Sequence, residues 1–230
     1  MGEAVEFASN GATAAGHLAT PEVGAGVGVI VVQEWWGLNP QIKGVCDRLA
    51  DEGFTALAPD LYHGELAGHD EMDKAGQLMN ALPMDRAVRD MSGAIDFLAA
   101  HEAVRGDRLG VVGFCMGGML SWVLACARPD KVGAVVAFYG APIGDDQPDW
   151  EKLSVPVQFH IAGSDDFFPP DAMRAHAERL KGMGKDIDTH EYPGTGHAFA
   201  NETNAIGTYD AEAARQAWVR TLEFLRAKLG

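Results

Sequence analysis

Apolar and polar positions along the chain fall into a succession of short apolar runs and helical stripes. Residues 4–7 and 13–19 alternate weakly on either side of Ser9-Asn10-Gly11, a hairpin turn signal, and predict two short antiparallel strands at a sheet edge. The run 27–32 is apolar almost throughout, which predicts a central strand covered on both faces. A helix over 41–52 follows, started by Asn39-Pro40 and stopped by Gly53. The pattern then predicts a strand over 54–58, helices over 70–81 and 84–101, and a strand over 109–112. In the second of those helices Val88, Met91, Ile95 and Leu98 form one stripe. A helix over 119–126, strands over 132–139 and 155–161, a helix over 170–181, a strand over 187–192 and a helix over 209–229 complete the reading. Strands alternating with helices predict an α/β fold with a mostly parallel central sheet and helices on both faces. No repeat, low-complexity tract or linker divides the sequence, so residues 1–230 are expected to form one domain.

Composition narrows the partners. A formal charge of −15 leaves no basic surface for phosphates and opposes attraction to anionic membranes. The expected partner is therefore a small molecule, not nucleic acid or membrane, with the chain a monomer or small homo-oligomer. Three cysteines, Cys46, Cys115 and Cys126, are too few for a disulfide framework. Cys46 and Cys126 fall in apolar-periodic helices and are expected to be core residues. No signal peptide pattern opens the sequence, and no apolar run approaches the roughly 20 residues that span a bilayer. The expectation is a cytoplasmic protein with free thiols.

Chemistry concentrates after the strands. Gly113-Phe114-Cys115-Met116-Gly117, between a buried strand and a helix, is the G-x-S-x-G nucleophile elbow with cysteine in place of serine. The turn puts Cys115 over a helix N-terminus, where free N–H groups favour negative charge on sulfur. A nucleophile needs a base, and the base an orienting group. In α/β-hydrolases these follow in the order nucleophile, acid, histidine, each on a loop after a strand. The acid slot reads Gly163-Ser164-Asp165-Asp166 and the histidine slot Gly194-Thr195-Gly196-His197. Position agrees with a triad of Cys115, Asp165 and His197, with Asp166 the alternative acid. His17, His69, His101 and His176 read as surface residues and His160 as core. No histidine spacing fits a metal site, and no cofactor is implied.

Taken with Gln33-Glu34, Pro59-Asp60-Leu61-Tyr62 and Gly196-His197-Ala198-Phe199, these motifs resemble the dienelactone hydrolases (carboxymethylenebutenolidases) over essentially the full length. The resemblance implies a compact α/β-hydrolase fold without a separate cap domain, and hydrolysis of an ester or lactone through a cysteine thioester. It implies catalytic roles for Cys115, Asp165 and His197, and favours Asp165 over Asp166. It also implies that Glu34 lies beside the thiol and takes up its proton when substrate displaces it, with the backbone N–H groups of Trp35 and Met116 as the oxyanion hole. Where family members hold a substrate carboxylate with arginines, this sequence reads His63-Gly64 and Asn201. With Trp36, Tyr62, Tyr139 and Phe199, the residues His63 and Asn201 are the expected substrate contacts. The aromatics favour an apolar or aromatic acyl group, and the missing arginines favour small neutral esters over dienelactones. Two other classes are set aside. A thiol redox or sensing protein would need a resolving cysteine nearer than Cys126, and a non-catalytic binding protein has no need of nucleophile, acid and histidine together.

Overall fold

The computed structural model describes residues 2–9, 11–144 and 147–230. Its strands are Glu3–Ser9 (β1), Ala12–Ala19 (β2), Gly26–Val32 (β3), Phe54–Pro59 (β4), Val104–Phe114 (β5), Val132–Phe138 (β6), Val157–Ala162 (β7) and Ile187–Tyr192 (β8). They form one sheet in the order β1-β2-β4-β3-β5-β6-β7-β8, in which β2 runs antiparallel to β1 and β4 and the remaining pairs are parallel. Every residue of β3, β4 and β7 is buried, as strands covered on both faces require. The edge hairpin pairs Glu3 with Leu18 through Ser9 with Ala12, while Asn10 of the expected turn lies outside the described residues. Asp145 and Asp146, within the expected loop 140–148, also lie outside them.

The helices are Pro40–Asp51 (α1), Met72–Ala81 (α2), Met84–Ala99 (α3), Met116–Ala127 (α4), Pro170–Gly182 (α5) and Ala211–Leu229 (α6). On one face α1 and α6 meet where the Arg48 guanidinium lies 4.1 Å over the Trp218 ring. On the other, α3 packs beside α4, and Trp122 of α4 meets His176 of α5 edge to face at 5.3 Å. Helices cover both faces, as expected. Among the described residues no helix is long and apolar enough to cross a membrane.

Two expectations need correction. β5 begins five residues before 109, because its first half, including Arg105, Asp107 and Arg108, is an exposed extension that apolar periodicity does not mark. His176 is buried, not exposed; it sits between Trp122 and Trp150, and burial pushes its pKa down to about 4. A neutral imidazole is an aromatic ring with one acceptor, and this site uses it as a ring.

Candidate active site

β5 leads into α4 through a single residue, Cys115, whose φ of 56° and ψ of −119° a side-chain-bearing residue rarely adopts. The turn holds because its neighbours leave no room for alternatives. A Cβ at Gly113 would strike the Gly117 carbonyl, and one at Gly117 the carbonyls of Val32 and Gln33. Backbone bonds fix the turn, with Cys115 N donating to Phe138 O at 3.0 Å and Met119 N to Cys115 O at 3.1 Å. The Met116 amide is a first-turn orphan of α4, and the Trp35 amide lies just beyond β3. Among the described residues neither has a hydrogen-bond partner.

The loop after β7 carries Asp165 and the loop after β8 carries His197. His197 Nδ1 donates to Asp165 Oδ2 at 2.8 Å, and Asp165 Oδ1 accepts the backbone N–H groups of Phe167 and Phe168 at 2.8 and 2.9 Å. The same two phenylalanines pack their rings on the imidazole, at 4.9 and 5.7 Å between centroids. One turn thus orients both the acid and the base. With Nδ1 engaged on Asp165, the ring and the Cys115 thiol share one cavity wall. Burial alone would push the His197 pKa down; the bond to Asp165 and the nearby Asp165 and Cys115 groups outweigh it and raise the value to about 10. Asp166 is exposed and points to no such partner. Cys46 and Cys126 are buried and free, and burial drives both thiols up, Cys126 to about 11.

Glu34 ends the β3 apolar run in an almost fully buried position. Its Oε1 accepts the Tyr139 hydroxyl at 3.2 Å and its Oε2 accepts the Asn201 amide at 2.7 Å. Burial raises its pKa, against the opposing pull of His197 and of these two hydrogen bonds. Burial and the Glu34 carboxylate in turn keep the Tyr139 phenol protonated, so it stays a donor.

Glu34, Cys115, His197 and Asn201 border a cavity of about 460 Å³. Its remaining wall is nearly all apolar: Trp35, Trp36, Met79, Met116, Met119, Ala141, Ile143, Phe167, Phe168, Ala205 and Ile206 are among the residues that form it. No arginine or lysine is among them. A second cavity, of about 510 Å³, lies between α1 and α6 and contains none of these chemical groups.

The expected substrate contacts divide. Trp36 and Asn201 border the cavity; Tyr62, His63, Tyr139 and Phe199 do not. Tyr62 is buried with its hydroxyl on the Met116 sulfur at 3.5 Å, and Tyr139 is spent on Glu34. Phe199 is sealed between Tyr139 and Tyr192. His63 is turned outward onto Asp90 at 2.7 Å. Position after a strand places a residue at this edge of the sheet but not on which side of its loop it faces. Met79, Ile143 and Phe167, each more than a third exposed yet on the cavity wall, were missed; their one signal is a large apolar side chain where burial does not require one.

Residues 14–229 match the model of a family described as the dienelactone hydrolase family. A protein of Aquifex pyrophilus named Protein usf is 40% identical over 235 residues, spanning 100% of both chains. A protein of Aquifex aeolicus provisionally named carboxymethylenebutenolidase is 37% identical over 235 residues, again 100% of both. Among solved structures, a provisionally assigned dienelactone hydrolase from Klebsiella pneumoniae superposes with a TM-score of 0.84 at 28% identity, covering 97% of this chain and 98% of that one.

Proposed function

Because this chain belongs to the dienelactone hydrolase family, we propose that it hydrolyses a neutral ester or lactone through a thioester on Cys115. The observation that carries the reading is the Asp165–His197 hydrogen bond set on the same apolar cavity as Cys115 at its strained elbow. The sulfur attacks the carbonyl carbon, and the carbonyl π electrons move onto oxygen. The amides of Trp35 and Met116, which lack partners in the fold, are the donors for that oxyanion. His197, held protonated by its neighbours, gives its proton to the departing alkoxide. The alcohol leaves, or stays tethered when the substrate is a lactone. His197 then takes a proton from water as it attacks the thioester, the intermediate collapses to free acid and Cys115 thiolate, and Glu34 returns its proton to the sulfur. Asp165 orients the imidazole and stabilises its charged form. Glu34 is the buried acceptor that receives the thiol proton as substrate enters.

A buried thiol, a histidine committed to Asp165 and a cavity wall without arginine or lysine together favour a neutral substrate with an apolar acyl group. Cys115→Ala should abolish turnover of p-nitrophenyl acetate with the fold intact by circular dichroism, while Cys46→Ala and Cys126→Ala keep it. Mass spectrometry of a quenched reaction should find the acyl group on Cys115. Turnover by Cys115→Ala above a few per cent of the parent (a loss smaller than about 30-fold, against the 10²-fold or more expected of a nucleophile) would overturn the assignment.

A further inference from the structure

Asn201 is the residue whose surroundings are most fully determined without a role in the scheme above. Its side-chain oxygen accepts the backbone N–H of Thr203 at 3.1 Å and the Thr203 hydroxyl at 2.6 Å. A backbone N–H can only donate, so the oxygen must face Thr203 and the amide nitrogen must face Glu34. That nitrogen donates to Glu34 Oε2 at 2.7 Å. The loop around it is held on all sides: Asn201 N donates to Ala198 O at 2.9 Å, Asn204 N to Asn201 O at 3.0 Å, and the Thr208 hydroxyl to the His197 carbonyl. His197 and Asn201 thus lie on one hydrogen-bonded loop.

We propose that Asn201, locked in orientation by Thr203, is a positioning residue that holds the Glu34 carboxylate in place through a neutral N–H donor and sets its readiness to accept the thiol proton. The proposal rests on the thioester reading above. Both hydrogen-bonding anchors of the Glu34 carboxylate, Asn201 and the Tyr139 hydroxyl, are uncharged, and the one positive group acting on it is His197. Glu34 is thus held from within the fold, by donors that a substrate carboxylate has no charge reason to displace. Asn201 is accordingly spent on Glu34 rather than on substrate.

Asn201→Asp separates this role from a purely structural one. An aspartate oxygen keeps both bonds from Thr203, and with them the turn, but offers Glu34 a second carboxylate in place of a donor. The charged and titratable groups facing Glu34 are then His197, Tyr139, Cys115 and the new aspartate. Expected is a kcat loss of about 10- to 100-fold at pH 7 with KM little changed, from losing a hydrogen bond to a charged group. The acid limb of the pH–rate profile should move to higher pH. Thr203→Val should move the limb in the same direction by less, and Thr203→Ser should return it. In a Glu34→Gln background Asn201→Asp should cost less than about 3-fold, because a residue acting through Glu34 has nothing left to act on.

An Asn201→Asp enzyme with the parent's kcat and acid limb would overturn the proposal, as would an equal loss in both backgrounds. Either result, with Cys115→Ala inactive, leaves the thioester reading standing. An active Cys115→Ala enzyme removes that reading itself.

Discussion

Glu34 carries the sharpest conflict between stability and chemistry in the molecule. Its pKa is raised by burial, so the folded state binds its proton more tightly than the unfolded state does. The unfolded carboxyl titrates near pH 4.3, as an ordinary glutamate does. Below that value the group costs the fold nothing; as pH rises from it toward the folded pKa, stability is progressively lost. Glu34→Gln keeps the side-chain shape and removes the buried charge; its oxygen can accept from Asn201 while its amide nitrogen faces the Tyr139 hydroxyl, whose oxygen can accept in turn. It should raise Tm at pH 8, with the advantage shrinking toward pH 5, while lowering turnover by about 100-fold if Glu34 exchanges a proton in the reaction. Parallel thermal melts and rates at both pH values check this, and a variant both less stable at pH 8 and fully active would contradict both halves. The sequence made Glu34 visible as a carboxylate directly after an apolar strand. It gave no sign that Tyr139, 105 residues away, is one of its anchors.

At the scale of elements, the elbow depends on what surrounds it more than on its own residues. Gly117 has an ordinary helical backbone, so its constraint is space: a methyl group there meets the carbonyls of Val32 and Gln33. Those oxygens belong to the β3 end and cannot rotate away as a side chain would. Gly117→Ala should therefore destabilise by about 2–4 kcal/mol, at the upper end of overpacking costs, and lower Tm by roughly 5–15 °C for a chain of this size. A melt within about 2 °C of the parent would show that β3 yields. Gly113 and Gly117 were legible because their spacing around Cys115 encodes that crowding. The rest of the fold was legible where burial is two-sided: β3, β4, β6 and β7 fall within two residues of expectation at each end. The cavity wall was not, since Met79 comes from α2, a helix of which only Ala75 is buried. Periodicity reports how a helix meets the core and says nothing of an exposed residue reaching across a cavity mouth.

For the whole molecule, charge and cavity act on a substrate at different ranges. Thirty-three acidic against 18 basic residues give −15, a field that fades within about 8 Å at physiological salt. Close in, the wall offers an anion no arginine or lysine among the described residues; it meets Glu34, and His197, which is already engaged by Asp165. A carboxylate entering there would lose its hydration with no guanidinium or ammonium to replace it. The methyl ester of a dienelactone should therefore have a kcat/KM at least about 10-fold above that of the free acid at pH 7 and 0.15 M salt. Raising the salt should narrow the gap only slightly, because the local term decides it. A preference for the free acid would mean that an anion site exists which this wall does not contain.

The bond from Asn201 to Glu34 spans 167 residues. At a synthesis rate of 5–20 residues per second, a nascent chain carries Glu34 for on the order of ten seconds before Asn201 has been made. Through that interval β3 and the elbow can form, yet the carboxylate at their junction has no amide to meet it. The junction must stay wet until the β8–α6 loop arrives and closes over it. In a refolding chain, recovery of the sheet should precede recovery of the site, and the first turnover would time the docking of the chain's last sixth.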